Sequence, residues 1–396
     1  MEIKELKKGL YEGVADGPRD PHTNKRNQIR RRGKTKKEVK LKIEAAIRKL
    51  ELHGVDEKRN KHLTFEMVAW EWLKVYEMGP VKANSVRNRA KSIRLLLRYI
   101  ANANIAKVTP GMHQRILRDM FDQGYSDSYI EGAHVTAGMI YKYAIKEKMR
   151  IDNPCIGAVI PRKKLTVEEI ENTNIEDEYL EPQELEEFLE AAVKHGLEFD
   201  EEWFFLLAFS GMRSGELCAL KYPDARSETN IISVTKTLYN PDNNMRKYQL
   251  TPPKTKAAIR SFDIDEAVMR KIDAHKRKLT KRKMQYRLIH EDFHDANFLF
   301  CRDNGYPFIP KTLINRMNRL LKFTSITKEA TPHIFRHTHI SMLAEAGVDL
   351  TTIMDRVGHD DRETTLRVYT HVTEKMKKNA SEKVSTHFRN ILELAK

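Results

Sequence analysis

Apolar residues in this chain recur mostly at the spacing of an α-helix. Val39, Ile43, Ile47 and Leu50 form one helical stripe, with Thr35-Lys36-Lys37-Glu38 ahead of them as a capping box and Gly54 at the stop. Phe65, Ala69, Trp72 and Tyr76 form a second stripe, closed by Gly79-Pro80. Val86, Ala90, Ile93, Leu97 and Ile100 form a third, and two further helices are expected over 110–123 and 127–148, separated by Gly124. After Asn153-Pro154 and the basic run ending at Lys164, helical periodicity resumes with Leu185, Phe188 and Ala192, then with the apolar run 203–209.

Two stretches read differently. Gly17-Pro18-Arg19-Asp20-Pro21 and Thr23-Asn24 supply turn chemistry between short segments near 10–15 and 26–32. They predict a small hairpin or three-stranded sheet with the first helix packed on it. Around 231–264 the period shifts towards strands, with turns at Asn240-Pro241-Asp242 and Pro252-Pro253. The expected fold class is therefore multidomain and mainly α with small β elements (α+β). Three domains are expected, at 1–58, 64–160 and 175–396. The polar segment 55–63 and the acidic segment 168–178 read as linkers, and 271–290 as an exposed basic helix.

Charge sharpens this picture. The 396 residues carry 71 Lys+Arg against 56 Asp+Glu, a formal charge of +15. The first 50 residues alone hold 16 basic and 7 acidic side chains. A basic balance of this kind points to a polyanion, with nucleic acid the leading candidate. Arg30, Arg31, Arg32 and Lys34 on a β-ribbon would suit a major groove, and Arg87 and Arg94 on the third helix would suit a phosphate backbone. No run of about 18 apolar residues exists, so no membrane span is expected. The N-terminus has no apolar secretory segment, and three scattered cysteines suit the reducing cytoplasm.

Candidate chemistry lies in four short contexts. Ser210-Gly211-Met212-Arg213-Ser214-Gly215-Glu216-Leu217 holds an arginine between glycines, with Glu216 able to orient it. Pro253-Lys254-Thr255-Lys256 puts lysines at a turn. In Thr331-Pro332-His333-Ile334-Phe335-Arg336-His337-Thr338-His339, His333 and Arg336 share a helix face. Val357-Gly358-His359 stands ten residues before Tyr369. Arginine forks bind phosphate oxygens bidentately. A tyrosine hydroxyl, with a pKa of about 10, needs such cations and a proton acceptor to attack phosphorus. The three histidines near Arg336 lack an HExxH pattern and have no Cys or carboxylate at ligand spacing, so no metal site is expected.

Taken in this order, the four contexts resemble those of the tyrosine recombinase (phage integrase) family, and the resemblance covers most of the chain. The N-terminal module resembles the arm-type DNA-binding domain of lambda-like and conjugative-transposon integrases, and 64–160 their core-binding domain. The chain departs from the family at Lys221-Tyr222-Pro223-Asp224, where a Trp-x-Asp is frequent, and at Val357, where Leu is usual.

The resemblance implies a site-specific recombinase that cuts and rejoins DNA through a 3′-phosphotyrosyl bond and a Holliday junction, integrating and excising a mobile element. It implies Tyr369 as nucleophile, Arg213 and Arg336 as the phosphate clamp, and Lys254 as acid for the leaving 5′-oxygen, with Lys256 two residues away. His333 and His359 would assist, and Glu216 would support the arginine. It implies no cofactor, and as partners core-type and arm-type attachment sites in double-stranded DNA, three further copies in a tetramer on DNA, an excisionase and a host DNA-bending protein. Val384, Phe388, Ile391 and Leu394 then read as a tail for a neighbouring protomer. A type IB-like topoisomerase and a non-enzymatic DNA-binding regulator are the competing readings.

Overall fold

A computed structural model describes residues 1–19, 26–53, 59–163, 175–253, 258–358, 363, 365–374 and 376. The chain divides into two compact units, Met1–Leu165 and Thr166–Lys396.

The first unit contains two separate cores. Strands β1 (Glu2–Lys7), β2 (Leu10–Arg19) and β3 (Arg26–Gly33) form an antiparallel sheet in that order, followed by α1 (Lys36–His53). Strand alternation turns Ala15 and Ile29 inwards, and Val39 and Ile43 of α1 are fully buried. Gly13 is required by packing, because a Cβ there would lie 2.6 Å from both Ile43 Cδ1 and Val39 Cγ1. No turn forms at Gly17, since β2 runs on to Arg19 across a register shift after Asp16, and the remaining turn signals at 20–24 lie outside the described residues. A bulge of this kind lets a strand bend without ending. The cap of α1 is as expected: Thr35 Oγ1 accepts from the Glu38 amide at 3.1 Å, and Glu38 accepts from the Lys34 amide at 2.7 Å.

The second core belongs to four helices: α2 (Phe65–Glu77), α3 (Ala83–Ile100), α4 (Pro110–Asp122) and α5 (Asp127–Lys146). The apolar stripes read from sequence meet inside this bundle, with Phe65, Ile93, Leu96, Leu117 and Ile140 buried. Thr64 and Thr109 cap α2 and α4 by accepting from Met67 and Met112 amides. The segment expected to be a linker is partly structural. Residues 59–62 form a 3-10 turn, and buried Asn60 donates to Lys148 O at 3.0 Å.

The second unit is mainly helical around small sheets. It comprises α6 (Pro182–His195), α7 (Asp200–Ser210), α8 (Ser214–Ala219), β4 (Ala225–Arg226), β5 (Ile231–Val234), β6 (Thr237–Tyr239), β7 (Gln249–Thr251) and β8 (Arg260–Asp263). There follow α9 (Glu266–Ile289), α10 (Pro310–Leu320), α11 (Ile334–Glu345) and α12 (Leu350–Val357). β4, β5 and β8 form one antiparallel sheet, and β6 and β7 pair as a hairpin. Phe188, Trp203, Phe204, Phe300 and Phe335 fill the main core.

The basic helix α9 is not simply solvated. Val268, Met269, Ile272, His275, Lys276 and Leu279 are buried along its inner side, and Lys276 Nζ donates to the Ala225 carbonyl. Its many exposed charges concealed an apolar stripe at helical spacing. Among the described residues, no helix is long and apolar enough to cross a membrane.

Gly13→Val is expected to destabilise the N-terminal sheet by about 1–3 kcal/mol through overpacking. Hydrogen exchange on the full chain should accelerate in 2–33 and stay unchanged in the second unit. Unchanged exchange in the sheet would refute the packing role given to Gly13.

Candidate active site

Helix α7 ends at Gly211, whose left-handed backbone (φ 61°) turns the chain sharply into Met212 and Arg213. A Cβ on Gly211 would stand 2.9 Å from the His339 ring, so glycine serves both the turn and the close approach. Arg213 is the N-cap of α8. Its backbone amide donates to Glu216 Oε2 at 3.0 Å, and its guanidinium donates to Glu216 Oε1 at 3.1 Å. The two residues read together from their three-residue spacing are thus hydrogen-bonded to each other.

Glu216 has a second and more deeply buried partner. Arg260, on β8, donates to Glu216 Oε2 at 2.9 Å, with both side chains about 95% buried (5% and 4% exposed). Burial alone would push the Glu216 carboxyl up, but Arg260, the Arg213 amide and the Arg213 guanidinium together hold it below its ordinary 4.5. Arg260 Nε also donates to Arg356 O at 2.8 Å, which fixes the last turn of α12. Arg356 reaches back from that turn to Asp263 Oδ1 at 2.7 Å and to His339 Nε2 at 3.2 Å.

These partners define the protonation of His339. With Nε2 accepting from Arg356, Nδ1 carries the proton and donates to Ala208 O at 3.0 Å. Burial, and next Arg356, press its pKa down to about 3, so the ring is neutral. His339 is a structural pin of the site.

Arg336 is the central cation. It is 1% exposed, one turn into α11. One guanidinium nitrogen donates to Gly211 O at 3.0 Å and another to Gly358 O at 3.0 Å. Arg336 thereby holds the loop that carries Arg213 and the loop that leads to His359. Gly358 has φ 83°, and a Cβ there would sit 3.3 Å from Arg260 Nη1. His333 is exposed at the N-cap of α11, with its ring centroid 4.8 Å from that of His337.

Tyr369 lies in the helical segment 365–374. Thr365, Val368 and Val372 of this segment are buried, and Tyr369 packs, partly buried, against the cluster formed by Tyr179, Ile340, Ala344, Ile353, Val357, Val368 and Val372. Ile340 stands one turn beyond Arg336 on α11, and Val357 immediately precedes Gly358. The cluster beneath the tyrosine thus includes residues of the two helices that meet at Arg336. Lys254, Lys256 and His359 lie outside the described residues, as does the tail beyond 376.

The DNA-contact residues expected from sequence fall on two surfaces of the first unit. Arg30 and Arg32 face outwards from β3, with Arg32 paired to Glu12 at 2.7 Å, whereas Arg31 lies half-buried on the alternate face. Lys34 is exposed just after the strand. On α3, Arg94 is exposed over the Trp70 ring, and Arg87 is half-buried. Lys91, Arg94, Arg98, Tyr125 and Tyr129 line one shallow pocket. Lys91 and Arg98 are among the basic residues that the sequence reading sets around this helix; the two tyrosines are the additions.

Removing one partner from a buried ion pair costs about 3–5 kcal/mol. Arg260→Met should therefore destabilise the second unit by about 3 kcal/mol, and Glu216→Gln added to it should cost less than the sum. Because the Glu216 carboxyl is depressed, its contribution is fully present above 4.5 and is lost as pH falls through the lower folded value. Denaturant midpoints measured from neutral pH to pH 3 should fall less steeply in Glu216→Gln than in the wild type. Parallel pH curves would remove Glu216 from the account.

Residues 178–376 match the family model described as the phage integrase family. The chain is 29% identical over 388 residues to the "prophage ps2 probable integrase" of Lactococcus lactis, covering 95% of this chain and 97% of that one. It is 25% identical over 389 residues to the ICEBs1 integrase of Bacillus subtilis, covering 97% and 99%. Among solved structures, the Tn1549 transposon integrase in complex with a circular intermediate DNA superposes with a TM-score of 0.63 at 21% identity, covering 81% and 99%. A lambda integrase dimer bound to a COC′ core site gives 0.55 at 16% identity, covering 93% and 94%. With half the chain matched by the family model, and with these folds alike, the chain belongs to the phage integrase family and is a tyrosine-type site-specific recombinase.

Proposed function

We propose that Tyr369 attacks the scissile phosphate of an attachment site and forms a 3′-phosphotyrosyl bond, with the 5′-oxygen leaving. Arg336 and Arg213 neutralise the non-bridging oxygens, and Glu216 fixes the guanidinium of Arg213. Lys254 gives the leaving oxygen its proton, while His333 and His359 supply hydrogen bonds and proton transfer. The phosphotyrosine conserves the energy of the broken bond, so a 5′-hydroxyl from a second duplex can reverse the reaction and join new strands.

The observation that carries this reading is the double hydrogen bond from buried Arg336 to Gly211 O and Gly358 O. Preorganised cations around a phosphate are what such chemistry needs, since little else lowers the barrier to phosphoryl transfer.

The division of labour follows from the first unit. We assign 1–58 to arm-type sites, 64–160 to core-type sites and 175–396 to catalysis within a tetramer on DNA. The outward Arg30 and Arg32, with Lys34, suit the first contact; Lys91, Arg94 and Arg98 beside two tyrosines suit the second. One chain holding two sites on a duplex must bend the DNA between them, and duplexes are stiff over about 150 bp. A host DNA-bending protein and an excisionase that sets direction fit that requirement. The compartment is the cytoplasm of a bacterial cell, where the integrated element lies.

A suicide substrate nicked beside the cleavage position tests the chemistry. The wild type should leave a protein–DNA adduct that survives denaturation in EDTA, and Tyr369→Phe should leave none. An adduct persisting in that variant would overturn the assignment; absence from the wild type on a verified cognate site would favour the regulator. Strand exchange between two attachment sites then distinguishes a recombinase from a topoisomerase.

Salt dependence tests the first contact. Replacing Arg30, Arg32 and Lys34 with Ala should flatten log K against log salt for arm-bearing DNA by about 0.9 per lost phosphate contact. An equal slope would exclude this face from DNA.

A further inference from the structure

The helical bundle of the first unit holds a cluster that the recombination chemistry does not use. His113 of α4, His134 of α5 and Cys155, in the segment after α5, each present a ligand atom, and these atoms lie within 4.8 Å of one another. His113 is fully buried and Cys155 is 6% exposed. The rings meet directly, with His113 Nε2 3.0 Å from His134 Nδ1.

The hydrogen bonding of this pair is incomplete. Two neutral imidazoles offer two N–H donors and two lone pairs, and their one contact uses one of each. His113 Nδ1 is left buried with no hydrogen-bond partner, whichever tautomer the pair adopts. A fully buried polar atom in that condition is rare.

We propose that His113, His134 and Cys155 bind a zinc ion that clasps α4, α5 and the segment following α5. Nitrogen and sulfur donors without a carboxylate suit a borderline-soft cation and not magnesium or calcium. Zinc bonds of about 2.0–2.3 Å place neighbouring ligand atoms roughly 3.3–3.6 Å apart in a tetrahedron. The observed spacings need shifts of about 1 Å to reach that geometry. The half-buried His134 leaves a side open for a water as fourth ligand.

The surroundings act on the two buried donors in opposite directions. Burial, and next His134, lower the His113 pKa to about 4, which keeps that ring neutral at physiological pH. Burial raises the Cys155 thiol to about 12, with Arg150 opposing. Binding therefore releases the thiol proton to solvent, and the thiolate, with Arg150 nearby, takes the cation. Metal affinity at such a site is folding free energy for the elements it joins. Gln114 donates to Val159 O at 2.8 Å, so the same segment is already tied to α4 beyond Cys155.

The test uses the untagged full chain, stripped with EDTA and then titrated with zinc chloride against a chromophoric chelator. One zinc per chain is expected, with affinity falling in Cys155→Ala and His134→Gln by more than roughly 100-fold, the upper end of the loss for a supporting residue. Cobalt should give thiolate charge-transfer absorption in the near ultraviolet. If either variant fails to fold, alkylation of the wild type decides: zinc should protect Cys155 while Cys218 and Cys301 react at unchanged rates. Absence of stoichiometric zinc, undiminished binding in both folded variants, or alkylation of Cys155 indifferent to zinc would each overturn the proposal and leave a buried histidine pair. None of these readouts depends on strand exchange, so failure here is distinguishable from failure of the recombinase reading.

Discussion

The second unit is organised around one buried guanidinium. Arg336 donates to Gly211 O, two residues before Arg213, and to Gly358 O at the end of α12. A planar fork fixed at both ends cannot rotate away from its partners, and lysine offers no equivalent geometry. Glycine at both loops lets the backbone come close enough to be held. Around this bridge stands a second layer, in which Arg260 couples Glu216 to the end of α12. The charges are costly to bury, so each is met by a carboxylate or by carbonyls.

This arrangement explains why the site can be assembled from distant segments of the chain. Arg213 begins one helix, Arg336 lies one turn into another, and Tyr369 sits in a third segment, packed against a cluster that includes residues of α11 and α12. None of these elements carries the chemistry by itself. A change at Arg260 or His339, neither of which is assigned to meet DNA, would disturb the site by moving its frame.

Much of the fold was legible because apolar stripes at helical spacing report helices directly. The stripe from Phe65 to Tyr76 became α2, and the Thr35–Glu38 cap opened α1 as read. The pairing of Glu216 with Arg213 was visible at a spacing of three. Its pairing with Arg260, 44 residues away, was not, because one sequence does not record long-range partners. A signal was nonetheless present. In the run from Ala258 to Ile264 alternate residues are buried, and Arg260 occupies an inward position. A charge at a core register announces a buried partner. Helix α9 was misread for the opposite reason, since basic residues are interleaved with the stripe that packs. The three consecutive arginines of β3 also read as one patch until strand alternation sent Arg31 to the other face.

Net charge, which first suggested a nucleic-acid partner, says little about catalysis. In the proposed function the buried Arg260 and Arg336 serve the active site through position, while the exposed basic residues of the first unit are assigned the long-range attraction. The most direct test of the account is a structure of the full chain on a nicked attachment site with orthovanadate in place of the scissile phosphate. The account predicts vanadate bonded to Tyr369 Oη, with the guanidiniums of Arg213 and Arg336 within hydrogen-bonding distance of its equatorial oxygens. Vanadate bonded to another residue, or either guanidinium turned away from it, would contradict the central claim.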